Sequence, residues 1–520
     1  MKKIAAFLLT FLSISLLALA GDIPATNHQI LSLPGLSVQL NFTQYSGYVP
    51  LSPTKSLFYW LVESPTASNE KPLILWLNGG PGASSVALGL FHEVGPFHVN
   101  AEGNGSTLSL APNAWNNDAN ILFLESPAGI GFSYSDLTDV IDEDSKLSDS
   151  AAAEDAYQFL VNWLNLYPQY KGRKFYMAGE SYAGHYIPQL SQVIVTRNKG
   201  ISKPDINLQG FLLGNPALDD VLDHKGQYEF WWNLGLISDS LYYALKTTCL
   251  NHSYILPTPD CKALWDKGRT QMDFTDTYQV SETPCQEDTL KWKNLDDSRR
   301  KQLDHCKHYY AAIYLNREDV RKALHVEAFG TRQWKAYRHE MRLVWQSVPS
   351  TLPIFKELIA AGLKMWIYSG NNDGIIPPAS TRYSLGSLNL KPIGDWRAWH
   401  VTHSKVGGWC QDYEGLTFAV VNGAGHEVPV LRPEASYGFY NFISDVALWS
   451  KDLDWGYNFL LSTLNLLSCY IDHTLKPLLI VDGRSSSATV NGNSWPLITS
   501  SWTDCKTGPR LGGGMDSAML

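Results

Sequence analysis

Short apolar runs recur along the chain, and each is separated from the next by turn residues or by a segment of helical length. Uniformly apolar runs of this size are typical of strands buried on both faces of a mostly parallel sheet. Residues 150–166 have helical spacing and stop before Pro168. The alternation predicts a doubly wound α/β domain. The six predicted strands are residues 72–77, 120–125, 174–178, 208–213, 364–369 and 416–421.

The alternation breaks between about residues 217 and 352. This region holds clustered cysteines, a charged stretch and the aromatic-rich sequence YEFWWNLGLISD. An insertion of this size between strands predicts a cap over the working edge of the sheet. Trp231 and Trp232 are candidates for a hydrophobic pocket in that cap, with core packing favoured for at least one of them.

Both ends of the chain differ in character from the predicted domain, which spans residues 21–450. Lys2 and Lys3 precede an apolar run and the small residues of Ala18-Leu19-Ala20, which predicts a cleaved secretory signal over residues 1–20. Residues 451–520 form an unassigned tail. Its uncharged stretch 455–471 carries several Asn, Ser and Thr residues, so we favour a buried or amphipathic helix over a membrane anchor.

A secretory route changes how two other residue types are interpreted. Sequons at Asn41, Asn104 and Asn251 become candidate glycosylation sites. The seven cysteines become candidate disulfides, with at least one left without an intramolecular partner. The candidate pairs are Cys249 with Cys261 and, as a second choice, Cys285 with Cys306.

The overall charge argues against one class of partner. The net charge is −9 and the sequence pI is near 5.9, which disfavours a nucleic-acid-binding protein. We expect no nucleic-acid partner, and no membrane association after the signal is removed. The sequence leaves open whether the chain forms a homodimer.

The sequence FYMAGESYAGHY, residues 175–186, predicts a nucleophile on a strand-to-helix turn. Gly179-x-Ser181 follows an apolar strand, and Ala183 stands where a Gly-x-Ser-x-Gly elbow has its second glycine. Alanine is small enough for the same sharp turn, which would expose the serine hydroxyl above the edge of the sheet.

A serine hydroxyl needs a histidine to accept its proton, and that histidine needs an orienting acid. Asp373 follows one predicted strand in YSGNNDG, and His426 follows another in VVNGAGHEVP. The order Ser181, Asp373, His426 is the order found in α/β-hydrolases. Each residue alone would be an ordinary loop residue, but three in order at strand ends predict a catalytic triad.

At this point the chain resembles the serine carboxypeptidases of the carboxypeptidase Y and plant carboxypeptidase II type. The resemblance implies an α/β-hydrolase fold with a cap and no metal or organic cofactor. It covers residues 32–450 through the motifs WLNGGPGASS, ESPAGIGFSYS, GESYAGHYIP, GNPALD, YLNREDVRKALH, YSGNNDGIIP and NGAGHEVP.

The resemblance also implies residue roles around the triad. The backbone N–H groups of Gly80 and Tyr182 would form the oxyanion hole, because glycine lets the backbone approach a developing oxyanion. Asn78, Gly79, Glu180 and Glu93 would hold the free α-carboxylate of a peptide. Two ionised glutamates would repel that carboxylate, so the cluster is expected to retain a proton.

The chain departs from the family pattern at two positions. Ala83 replaces a cysteine that normally forms a disulfide toward the cap, and Cys306 is a candidate for the abandoned partner. Asn371 stands where relatives often carry aspartate. The first change bears on stability or cap position, and the second removes a negative charge near the histidine.

Four functional interpretations compete. Hydrolysis of peptide and protein C-termini, best at acidic pH, is favoured. Acyl transfer from an activated ester uses the same triad, but the acyltransferase branch tends to have aspartate in place of Glu180. A non-catalytic binding protein has no reason to keep the whole triad. A zinc site at His400, His403 and Cys410 is disfavoured, because the segment lacks a helical glutamate.

Overall fold

The structure is a computed structural model, and it describes residues 28–100, 105–135, 147–250, 257–272, 275–282, 308–326, 332–402 and 405–444. All of them belong to one compact unit, Met1–Ala447. The predicted signal, Asn104, Asn251, Cys285, Cys306, His403 and the tail lie outside the described residues. Within these ranges, no helix has both the length and the apolar character to cross a membrane.

The described strands build one mixed sheet of eleven strands and a separate two-stranded sheet, β4 with β5. The order in the large sheet is β1-β2-β6-β3-β8-β9-β10-β13-β12-β11, and β7 pairs with β2. The strands are β1 (Gln44–Ser52), β2 (Lys55–Val62), β3 (Leu73–Leu77), β4 (Phe97–Val99), β5 (Leu108–Leu110), β6 (Asn120–Leu124), β7 (Tyr134–Ser135), β8 (Lys174–Glu180), β9 (Asn207–Gly214), β10 (Lys364–Gly370), β11 (Pro392–Thr402), β12 (Lys405–Tyr413) and β13 (Leu416–Val421).

The predicted parallel sheet is confirmed for its six central strands, from β6 to β13 in the order above. These are the six apolar runs of the sequence. Antiparallel strands extend both edges: β1 and β2 at one, and β11 and β12 at the other. Strands β1, β11 and β12 face solvent in part and mix polar with apolar residues, so they lack the uniform apolar signal of the centre. Strand β2 is buried and apolar from Leu57 to Val62, and the sequence analysis missed it.

Side-chain alternation along β3 shows how the sheet divides two cores. Leu73, Leu75 and Leu77 belong to one apolar cluster, and Ile74 and Trp76 belong to the other. Successive side chains of a strand point to opposite faces, so a strand covered by helices on both sides must be apolar throughout.

Helices cover both faces of the sheet. The first helix, α1, begins at the capping residue Ser148, whose Oγ accepts the Ala151 N–H, and it ends before Pro168. Besides a π-helix (Ser85–Glu93) and two short 3₁₀ turns (Trp115–Asn117 and Pro168–Tyr170), the helices are α1 (Asp149–Leu166), α2 (Ala183–Asn198), α3 (Asp220–Asn233), α4 (Asp239–Thr248), α5 (Pro259–Gln271), α6 (His308–Leu315), α7 (Glu318–Ala323), α8 (Met341–Val344), α9 (Leu352–Ala360), α10 (Pro378–Ser387), α11 (Val428–Leu431) and α12 (Pro433–Ser444).

Helices α3, α4 and α5 share a small apolar core of their own, between β9 and β10 in the chain. Trp231 is buried in this core and donates its indole N–H to the Gly374 carbonyl. Trp232 stacks on Tyr242. Both tryptophans therefore pack within these helices. Cys249 and Cys261, the pair expected from the sequence, form a disulfide that links α4 to α5.

We predict that the double variant Cys249→Ser/Cys261→Ser lets α4 and α5 open locally while the central sheet stays folded. Closing a short loop constrains the unfolded chain, so losing this bond should remove about 3 kcal/mol of stability. Hydrogen exchange should accelerate in α4 and α5, while β8 to β10 stay protected. Unchanged exchange in both helices would show that the disulfide is dispensable.

Candidate active site

Five of the central strands end at the same edge of the sheet, and each is followed by a polar residue of interest. Asn78 follows β3, Ser181 follows β8, Asn215 follows β9, Asp373 follows the end of β10, and His426 follows β13. Because parallel strands place their carboxyl ends together, residues far apart in sequence converge there.

Ser181 occupies the turn between β8 and α2 with a φ of 61°, in the left-handed region. Its N–H donates to the Gly214 carbonyl at 3.0 Å, and its own carbonyl accepts from the Ala217 N–H at 3.0 Å. A Cβ at Gly179 would lie 2.7 Å from the Cβ of Ala183. Glycine at 179 therefore makes room for alanine at 183, and the elbow forms without its second glycine.

Asp373 is completely buried and orients His426. Its Oδ2 accepts from His426 Nδ1 at 2.7 Å, and its Oδ1 accepts the Ile375 N–H at 2.7 Å. Nε2 of the ring is thereby left for the nucleophile. The described residues contain no hydrogen bond to this Nε2, including from Ser181. Catalytic hydrogen bonds often form only when substrate binds.

Asn215 is a supporting residue that the sequence analysis missed. Its Nδ2 donates to Asp373 Oδ2 at 2.7 Å, while its Oδ1 accepts the Gly370 N–H at 3.1 Å. The side chain thus ties the triad acid to β10 from the neighbouring strand. It lies in the motif GNPALD, but its contact with Asp373 depends on the pairing of β9 with β10.

The four predicted carboxylate-binding residues also meet beside Ser181. Asn78 Nδ2 donates to Glu93 Oε1 at 2.6 Å, and Trp76 Nε1 donates to Asn78 Oδ1 at 2.7 Å. Trp76 was not predicted, and it fixes which way the Asn78 amide points. Gly79 packs so closely that a Cβ there would lie 2.3 Å from the backbone nitrogen of Tyr182.

Three buried polar atoms converge here without a hydrogen-bond partner among the described residues: Glu93 Oε2, Glu180 Oε2 and His426 Nε2. His426 Nε2 lies 3.2 Å from Glu180 Oε1, an ion-pair distance without hydrogen-bond geometry. Buried polar atoms of this kind are costly to leave unpaired, so the arrangement suits a polar ligand that would complete it.

Burial sets the protonation of this cluster. It raises the pKa of Glu93 well above its ordinary value, and the charge of Glu180 reinforces the effect. Burial also raises the pKa of Glu180, with the charge of His426 opposing it. Burial lowers the pKa of His426, but Asp373 and Glu180 outweigh it and raise that pKa well above 6.5. Glu93 therefore keeps a proton where an exposed glutamate would be ionised.

Tyr182, a predicted oxyanion-hole residue, is anchored by a buried carboxylate. Its hydroxyl donates to Asp149 Oδ1 at 3.0 Å, and its ring stacks on His185. Asp149 also accepts from Trp345 Nε1 at 2.9 Å and from the Val348 N–H at 2.8 Å. Burial raises the pKa of Asp149, but the bonds and charge of His185 outweigh it and the pKa is lowered.

The two departures from the family pattern have local structural accounts. Ala83 is buried and forms an antiparallel bridge with Tyr337. Next to this bridge, the Arg338 N–H donates to the Gly82 carbonyl at 2.9 Å. Backbone pairing thus joins Ala83, where the family pattern has a cysteine, to the segment around Tyr337. Asn371 Oδ1 accepts the Gly423 N–H at 2.7 Å, which ties the Asp373 loop to the His426 loop.

A cavity of about 1230 Å³ opens over Ser181. Asn78, Gly79, Gly80 and Glu180 line it together with Ser181, and Tyr278 and Tyr337 are also among its lining residues. Trp231 and Trp232 do not line it. In the disfavoured zinc motif, Cys410 is buried and forms no disulfide. No group of three or more potential metal ligands occurs among the described residues.

We predict that Asn215→Ala slows turnover by roughly 10- to 100-fold with little change in KM, because a small displacement of Asp373 misorients the base. Asn215→Asp should be worse, because a second carboxylate would face Asp373 Oδ2. Asn207→Ala, at the other end of β9, is the matched control. Equal turnover in Asn215→Ala and this control would contradict the role given to Asn215.

Comparisons with known proteins place the chain in a family. The family model described as serine carboxypeptidase matches residues 34–445. Serine carboxypeptidase-like 27 and 28 of Arabidopsis thaliana are 47% and 45% identical, over 79% and 81% of this chain and 90% and 92% of theirs. Serine carboxypeptidase 24 of the same plant is 42% identical over 78% of this chain and 89% of its own.

Among solved structures, Kex1(delta)p, a prohormone-processing carboxypeptidase from Saccharomyces cerevisiae, superimposes with a TM-score of 0.69. The match covers 81% of this chain and 96% of that chain at 22% identity, which shows a shared fold. The family match and the identity to the plant proteins show the family as well as the fold. The chain belongs to the serine carboxypeptidase family.

Proposed function

We propose that the protein is an acid-acting serine carboxypeptidase that removes single residues from the C-termini of peptides and proteins. The observation that carries this proposal is that buried Glu93 Oε2 and Glu180 Oε2 have no hydrogen-bond partner among the described residues, beside Ser181 and the His426–Glu180 ion pair. A free α-carboxylate brought to this cluster would complete the hydrogen bonds of both glutamates and place the last peptide bond over the serine.

The cluster binds a carboxylate through a protonated carboxyl group. Glu93, which accepts a hydrogen bond from Asn78, lies next to Glu180. A protonated Glu180 donates a hydrogen bond to the substrate carboxylate. In the complex the negative charge that faces His426 Nε2 is on the substrate carboxylate instead of Glu180, and it is one hydrogen bond further away. Glu180, ionised at rest beside the imidazolium, takes up the proton that His426 gives up as the pKa of His426 falls from its raised resting value, so the neutral ring becomes available as a base.

The triad then performs acyl transfer. Ser181 Oγ attacks the scissile carbonyl while His426 Nε2 takes its proton, and Asp373 stabilises the imidazolium. The Gly80 and Tyr182 N–H groups stabilise the oxyanion. His426 returns the proton to the departing amine, which releases the C-terminal residue. Water, activated in turn by His426, hydrolyses the acyl-serine and regenerates the enzyme.

The proposal extends to the route the protein follows in the cell. The signal-like N-terminus, the sequons and the acidic working pH suit an extracellular or vacuolar enzyme. Asn41 lies on the surface, where a glycan can be attached. Peptide and protein C-termini are the proposed substrates.

We predict that KM for an N-blocked dipeptide with a free C-terminus rises between about pH 5 and about pH 8, as the carboxyl cluster loses its proton. The C-terminal amide of the same dipeptide should be a poor substrate with a flat KM. In Glu180→Gln, the amide NH₂ donates at every pH, so the free-acid KM should become nearly independent of pH. A flat wild-type KM would refute the protonated cluster.

The reaction type is tested by comparing wild type with Ser181→Ala on the same peptides. Serine-dependent release that favours the free acid at low pH is the expected result. If neither peptide is cleaved although a fluorophosphonate labels Ser181, an acyltransferase that uses an activated ester takes the place of the peptidase.

A further inference from the structure

A segment between α5 and α6, residues Thr275–Glu282, crosses the loops that carry both Asp373 and His426. We call it the cap strap. Its residues form part of the cavity wall above Ser181. Its carbonyl groups and N–H groups bond to the two catalytic loops, which follow β10 and β13.

The strap brackets the triad acid. The Gly374 N–H, one residue after Asp373, donates to the Thr277 carbonyl at 2.9 Å. The Val280 N–H donates to the carbonyl of Asn372, one residue before Asp373, at 3.1 Å. Both neighbours of Asp373 are therefore held by the same short segment.

The strap also holds the general base. The backbone N–H of His426 donates to the Tyr278 carbonyl at 2.7 Å, and the Tyr278 ring meets the imidazole edge-on at 4.8 Å between centroids. The approach is so close at Gly425 that a Cβ there would lie 2.0 Å from the Tyr278 oxygen.

Asp276 fixes the conformation of the strap itself. This buried side chain accepts the Tyr278 N–H on Oδ1 at 2.8 Å, the bond of an Asx turn. Its backbone carbonyl accepts the Gln279 N–H at 3.2 Å, and its N–H donates to the Glu282 carbonyl at 3.1 Å. Asp276 thus determines where the Tyr278 carbonyl points.

We propose that the cap strap is a positioning element of the catalytic machinery, and that Asp276 is a positioning residue that acts on His426 through Tyr278. The triad acid and base lie on separate strand ends, and the strap is bonded to both. The role concerns acylation of Ser181, so it holds whether water or an alcohol resolves the acyl-enzyme.

The test compares Asp276→Ala with Asp276→Asn, using the rate at which a small fluorophosphonate labels Ser181. Labelling needs the serine and its base but no peptide subsites. Asp276→Ala loses the acceptor for the Tyr278 N–H, and we expect labelling and kcat to fall by about 10- to 100-fold with KM little changed. Asp276→Asn keeps an acceptor oxygen and should stay within about threefold of wild type.

Gly386→Ala on α10, where a Cβ meets open space, is the control for the effect of an ordinary substitution. Equal slowing in both Asp276 variants would overturn the proposal, because it would mean that the charge of Asp276 matters and the turn does not. Wild-type rates in both variants would overturn it as well.

A second pair of variants tests the proposal even if the Asp276→Ala protein does not fold. Val280→Pro removes the N–H that bonds to Asn372, whereas Val280→Ala keeps it. We expect Val280→Pro to label more slowly than Val280→Ala at equal folded concentration, measured by circular dichroism. Equal labelling rates in the two would contradict the positioning role of the strap.

Discussion

The arrangement depends on one electrostatic constraint: three carboxyl groups and one imidazole are buried together in a small volume beside the cavity. Asp373 and Glu180 lie on opposite sides of His426, at 2.7 and 3.2 Å from its two ring nitrogens. Glu93 adds a third acid next to Glu180. Burial raises the pKa of both glutamates, so the pair favours holding a proton, and it leaves polar atoms open to a ligand.

The rest of the fold keeps these groups in place through bonds between distant segments. Asn215 reaches Asp373 from the neighbouring strand, Asp149 anchors Tyr182 from α1, and the cap strap connects the loops of Asp373 and His426. Each contact joins residues on different elements. The precision that acyl transfer requires therefore comes from the parallel centre of the sheet together with the segments that cross its carboxyl edge.

The sequence was most informative where burial is uniform. All six central strands were predicted, because a strand covered on both faces must be apolar throughout. The order of Ser181, Asp373 and His426 at strand ends was equally visible. The antiparallel edges, Asn215 and Asp149 were missed. Their roles depend on which strands and helices become neighbours, and no local pattern around residue 149 or 215 reveals a partner more than 30 positions away.

The most direct test of the account is the pKa of His426, followed by NMR of ¹⁵N-histidine-labelled Ser181→Ala protein. The resonance is assigned by its loss in Ser181→Ala/His426→Gln. The account predicts a raised pKa that falls when Glu180→Gln is added, and that also falls on binding an N-blocked dipeptide with a free carboxylate but not on adding its amide. A pKa that neither Glu180→Gln nor the free acid changes would contradict the coupling between the base and the carboxyl cluster.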